Sequence, residues 1–128
     1  MNTKLVVIQG DISQLKVDTI VPAADLDECL QVPGDRGTEE CLGRAYSDSL
    51  KSAAKRKSRT IAFPNVSDGH PGFSKGFSKN KAAFVALTAV RNFLVEQPGQ
   101  FTEVIFVCWD TENYHLYKEM LGSENRVV

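Results

Sequence analysis

Midway along the chain stands Ser67-Asp68-Gly69-His70-Pro71-Gly72-Phe73, two glycines three apart with an acid, a histidine and an aromatic ring among them. Glycines at that spacing let backbone amides turn toward an anion without interference from Cβ atoms, and a helix that follows adds its positive amino end. The chemistry on offer is capture of a phosphate or diphosphate; the plainer reading is a tight connection between two elements. His70, beside a proline, reads as an exposed loop residue. Three further segments have a similar character. Gly10-Asp11-Ile12 sets an acid just past an apolar run, where it either bonds its own backbone as a turn residue or accepts a hydrogen bond from an exocyclic amine. Ala23-Ala24-Asp25 ends on a carboxylate that can act as a general base if it lies in a cleft. Trp109-Asp110 offers an indole that stacks on a flat base or else packs in the core.

The elements that must position these groups alternate along the chain. Lys4–Ile8, Thr19–Val21, Thr60–Pro64 and Glu103–Trp109 are apolar runs rich in β-branched and aromatic residues, without the in-out alternation of half-exposed strands. Between them lie helical patterns. Leu42, Ala45, Tyr46, Ser49, Leu50 and Ala53 form a stripe after Thr38, with Glu39 and Glu40 in the first turn and Lys55, Arg56 and Lys57 in the last, the signs that the helix dipole favours. A second helix is predicted from Ser78, as its cap, to about Glu96, with Pro98-Gly99 as its stop. A third is predicted over Thr111 to Leu121, closed by Gly122. Leu26 to Gly37 reads as an irregular connection that forms no strand.

Strands alternating with helices predict an α/β domain with a largely parallel sheet, spanning residues 1–122, with 123–128 as a tail. In such sheets ligands bind outside the carboxyl ends of the strands. The four segments above all follow strands, so they would meet at one edge. Together they suit a ligand with a flat base, sugars and phosphates.

Composition narrows the field. The chain has 128 residues, 42% of them hydrophobic and 24% charged, enough for one core without metal or disulfides. A formal net charge of -1 gives no field that would draw it to nucleic acid or an anionic membrane. Cys29, Cys41 and Cys108 are odd in number and lack CxxC spacing, which reads as free buried thiols in a reducing compartment and no metal site. The apolar run at the amino end is too short for a signal peptide or a membrane span, so a cytoplasmic protein is expected.

"VIQGDISQLKVDTIVPAAD" resembles the opening of macrodomains, which run from a strand through Gly-Asp-Ile-Thr and Val-Asp-Ala-Ile-Val to Asn-Ala-Ala-Asn. "SLKSAAKRKSRTIAFPNVSDGHPGFS" is similar to the family's helix, Ile-Ala-Phe-Pro strand and phosphate loop, and "EVIFVCWDTENYHLYKEML" to its last strand and helix. The resemblance implies a three-layer α/β/α sandwich with a mostly parallel, mixed sheet that recognises ADP-ribose or a related adenine nucleotide, free or as a protein modification, with no cofactor. By that carry-over Asp11 holds the adenine amine with the Ile12 backbone beside it, and Gly10 and Ala24 line the cleft. Ser67, Asp68, Gly69, His70 and Gly72 flank the diphosphate, Phe73 the distal ribose, and Trp109 and Asp110 the adenine side.

Departures from the family pattern are equally specific. Only Leu26 to about Thr38 fills a gap that usually holds a glycine triplet, a helix and at least one strand, so the middle of the fold is reduced. The two asparagines of the family motif are Pro22 and Asp25 here, which argues against catalysis of the usual kind. Asp68 sets a carboxylate where two phosphate charges belong. A binding module is thus the first expectation. The alternatives are an ADP-ribosyl or O-acetyl-ADP-ribose hydrolase using Asp25, and a degenerate domain acting in protein interaction or as a homodimer.

Overall fold

The computed structural model describes residues 3–65 and 79–122. The β-branched runs form four strands, β1 (Lys4–Gln9), β2 (Thr19–Ile20), β3 (Thr60–Pro64) and β4 (Glu103–Cys108). They make one sheet in the order β1-β4-β3-β2, and every pairing among the described residues is parallel. The helices are α1 (Ala23–Asp27), α2 (Asp35–Lys55), α3 (Lys79–Glu96) and α4 (Thr111–Leu121). The crossover from β2 to β3 runs through α1 and α2, and that from β3 to β4 through α3, as parallel neighbours require. The α/β class is as read from the sequence. No helix of the described residues is long and apolar enough to cross a membrane.

Pleating sorts the strand residues onto two faces. Leu5, Val7, Ile61, Phe63, Val104 and Phe106 share one face with the apolar stripes of α2, α3 and α4 in a single core. Its centre is a column of rings: Tyr46 of α2 lies 5.0 Å from Phe63, Phe63 6.0 Å from Phe106, and Phe106 5.2 Å from Tyr117 of α4. Such ring pairs add about 0.5–1.5 kcal/mol each beyond the area they bury. On the opposite face Ala62, Ile105 and Val107 are buried, with Val6, Ile8, Ile12, Leu15 and Val17 packed against them. Among the described residues the layer on this face is the segment after β1, with a 3-10 turn at Ile12–Gln14, rather than a helix.

The connection between β2 and α2 differs from the expectation in two ways. It forms no strand, but it is not irregular: α1 is followed directly by a 3-10 turn over Glu28–Gln31, and Leu26, Cys29 and Leu30 are buried. Helix α2 begins at Asp35, three residues before Thr38. The Thr38 hydroxyl donates to the carbonyls of Val32 at 3.2 Å and Gly34 at 3.1 Å, tying the connection to the first turn. Gly34 has a φ of 79°, and a Cβ on Gly37 would lie 2.8 Å from Val32 Cγ1. Both glycines are therefore required by the turn that starts α2.

The cysteine expectation is overturned. Cys29 and Cys41 form a disulfide with Cα atoms 5.5 Å apart. The short helical turns fold the chain back along the start of α2, so two residues twelve apart in sequence meet, a proximity that CxxC spacing does not capture. Cys108 remains a free, buried thiol, pushed up to about 12 by burial. At the other end of the chain, α4 begins at Thr111 and ends at Leu121 as read, with the Gly122 N–H donating to the Lys118 carbonyl; its N-cap is Asp110, a role the sequence reading did not give it. The predicted cap Ser78 and the tail 123–128 lie outside the described residues.

Candidate functional site

Pairing continues past the ends of the strands and stitches their loops together. The Gly10 N–H donates to the Cys108 carbonyl at 3.0 Å, and the Asn65 N–H to the Val107 carbonyl at 3.1 Å. The Asn65 side-chain oxygen accepts from the Trp109 N–H at 3.4 Å, and Gln9 Nε2 donates to Thr111 Oγ1 at 3.2 Å. Gly10, Asn65 and Trp109 thus sit side by side at the carboxyl edge, as the parallel order dictates. Asn65 was not singled out from the sequence. Its only signal is its position as the first residue after β3.

Asp11 is both a turn residue and an open acceptor. It caps the 3-10 turn, its Oδ1 accepting from the Ser13 hydroxyl at 2.7 Å and the Ser13 N–H at 2.9 Å. Those two bonds, the hydroxyl's first, hold its carboxyl below the ordinary carboxylate value, so the group is ionised at neutral pH. Its Oδ2 takes no partner among the described residues, and the adjacent Ile12 N–H, the first of the turn, has no intrahelical acceptor. The Ile12 side chain is anchored in the cluster on the second face. An acceptor and a donor therefore stand next to each other on a fixed turn at the surface.

Trp109 settles between its two readings. Its side chain is 69% exposed, so it is not core. Asp110 has a structural role: Oδ1 accepts from the Asn113 N–H at 2.7 Å and Oδ2 from the Asn113 side-chain amide at 3.2 Å, and both oxygens are thereby engaged at the start of α4. Asp25 lies elsewhere. It stands exposed beside Ala24 in the first turn of α1, and with β2 and the outer side of α2 it lines a cavity of about 320 Å³. In the sheet order β2 is two strands removed from β4, about 10 Å, so Asp25 is not among the groups gathered around Gly10.

Ser67, Asp68, Gly69, His70, Gly72 and Phe73 lie outside the described residues. The elements that flank them do not: Asn65 is at the site edge, and Lys79, the first residue of α3, pairs with Glu112 in the first turn of α4.

The macro domain family model matches residues 13–83. A macro domain-containing protein of Cupriavidus necator, from the gbd 3'region, is 43% identical over 89 residues, which cover 70% of this chain and 49% of that protein. The chain thus spans about half the length of that curated relative. The O-acetyl-ADP-ribose deacetylase of Escherichia coli K12 is 28% identical over an alignment of 181 residues that covers 97% of this chain and 98% of that one. Since this chain has only 128 residues, that alignment leaves internal stretches of the longer protein without a counterpart, in keeping with a reduced middle. Among solved structures, a Trypanosoma brucei macrodomain superposes with a TM-score of 0.74 at 22% identity, covering 92% of this chain and 67% of that one. The same macrodomain in complex with ADP-ribose superposes at 0.66 with 20% identity, covering 92% and 69%.

Proposed function

We propose, for a chain that belongs to the macro domain family, that the carboxyl edge of its sheet binds ADP-ribose or a related adenine nucleotide. The observation that carries the reading is the exposed Asp11 carboxylate beside the Ile12 backbone, at the same edge as the exposed Trp109 ring. The amino-pyrimidine edge of adenine presents a donor beside an acceptor, the complement of a carboxylate oxygen beside a backbone N–H. An indole alongside supplies a stacking surface worth about 1–3 kcal/mol per base. Gly10 borders the cleft, whereas Ala24, in the first turn of α1, lies with Asp25 on the β2 side of the sheet. By the same carry-over the diphosphate is assigned to the backbone amides of Ser67, Gly69, His70 and Gly72, with Asp68 in the same loop and Phe73 at the distal ribose.

Calorimetric titration with ADP-ribose, ADP and AMP tests this reading. The expected result is binding that weakens about 10- to 100-fold in Asp11→Ala, the loss of one hydrogen bond to a charged group. No affinity better than millimolar, or affinity unchanged by that substitution, refutes it. Hydrolysis is the second reading, favoured by the name of the Escherichia coli relative and by the carboxylate of Asp25 beside a cavity. It requires acetate release from O-acetyl-ADP-ribose that Asp25→Ala abolishes; turnover that survives the change rules out that role for Asp25.

A further inference from the structure

Among the described residues strand β2 ends the sheet, with β3 as its only neighbour. In a parallel strand successive residues direct their N–H and C=O to opposite sides. The Val21 N–H donates to the Ala62 carbonyl, so Val21 and Thr19 face β3 and the N–H and C=O of Ile20 face outward. The Ile20 side chain is itself 39% exposed. Along this edge runs the cavity of about 320 Å³ whose far wall is α2.

The two ends of that groove carry opposite charge. Because α2 leads into β3, it runs against β2, and its carboxyl end lies at Thr19: Arg56 donates to Thr19 Oγ1 at 3.3 Å and to Ser52 Oγ at 2.7 Å. Asp48, eight residues or about 12 Å back along the helix, lies at the Pro22–Asp25 end. The groove is therefore basic at the start of β2 and acidic at its finish.

We propose that this edge pairs with the same edge of a second copy of the chain, antiparallel about a two-fold axis at Ile20. Such an axis exchanges the ends of the groove, bringing Arg56 against the partner subunit's Asp25 and the partner subunit's Asp48 on both sides. Ile20 and the partner's Ile20 exchange two backbone hydrogen bonds across it. A copy docked in the parallel sense would put the two α2 helices on opposite faces of the joined sheet and form none of these pairs. With so short a ladder and exposed ion pairs, association is weak and weakens further in salt. This inference does not depend on nucleotide binding, and the residues altered to test it, Arg56 and Asp48, lie away from the Asp11–Trp109 edge.

Sedimentation velocity on the full chain, from micromolar to about millimolar concentration, is expected to show dimers whose fraction falls as salt is raised. Arg56→Asp should weaken the dimer at least about tenfold, as like charges then meet, and adding Asp48→Arg to it should restore association in part, since the partner subunit's Asp25 keeps its charge. Ile20→Pro, which removes an outward N–H and none bonded to β3, should also yield monomers, and hydrogen exchange at Ile20 should slow only in the dimer. Far-ultraviolet circular dichroism verifies that each variant is folded. A chain that stays monomeric throughout, a dimer indifferent to Arg56→Asp, or an edge that accepts only an extended peptide from another protein overturns the proposal.

Discussion

Asp18 performs no chemistry, yet its carboxylate secures the entry of β3. Its Oδ2 accepts from the Arg59 N–H at 2.7 Å and the Thr60 N–H at 3.2 Å, while its own N–H donates to Thr60 Oγ1 at 2.8 Å. The bond from Arg59, then that from Thr60, hold its carboxyl below its ordinary value of 3.8. A depressed folded-state value means that the stabilisation is complete above the unfolded value and disappears as pH falls through the folded one. Urea midpoints of the wild type should therefore decline below about pH 4, and Asp18→Asn, which has no charge to lose, should decline less over that window. Equal declines would remove Asp18 from the account. The acids of the candidate site were legible as acids, and their roles were legible in part. Asp-x-Ser at Asp11 and the helix that starts after Asp110 are local capping signals, and both caps form. What the sequence left open was whether the cap uses up the carboxylate. At Asp11 it engages one oxygen, at Asp110 both.

At the scale of elements, strand and helix identities followed from periodicity and from caps, and the observed ends lie within three residues of those read, several of them coinciding. The exception is the stretch between β2 and α2. Its Pro and Gly content reads as a loop, but Leu26, Cys29 and Leu30 find the core, and burial there stabilises short helical turns that propensity alone would not hold. The Cys29–Cys41 bridge closes this unit, with a sequence separation of 12. Loop closure of that length predicts a contribution of about 2–3 kcal/mol, by restricting the unfolded chain. Dithiothreitol should lower the urea midpoint of the wild type correspondingly and leave a Cys29→Ser/Cys41→Ser variant unaffected. A midpoint indifferent to reductant would mean that the bridge does not stabilise the fold.

Over the whole molecule the core is lopsided. Among the described residues all four helices join the cluster on one face of the sheet, and the other holds a smaller cluster under the segment after β1. Phe63→Ala opens the ring column and should cost about 3–5 kcal/mol in urea unfolding, whereas Ile8→Ala, half-buried on the thinner face, should cost about 1–2 kcal/mol. Similar losses at the two sites would contradict this asymmetry. The strand order leaves β2 at an edge among the described residues, which is why Asp25 lies in a groove apart from Asp11 and Trp109. The sequence by itself determined the class of the domain, the four strands, the three long helices and the rule that the interesting residues follow the strands, because period, cap and turn chemistry act over a few neighbouring positions. Only the tertiary structure decided that Trp109 is exposed, that Asn65 joins the site, that Cys29 meets Cys41 and that β2 faces outward with a charge at each end. Each of those depends on contacts between residues far apart in the chain, and those contacts are fixed by strand order and by which face each helix covers.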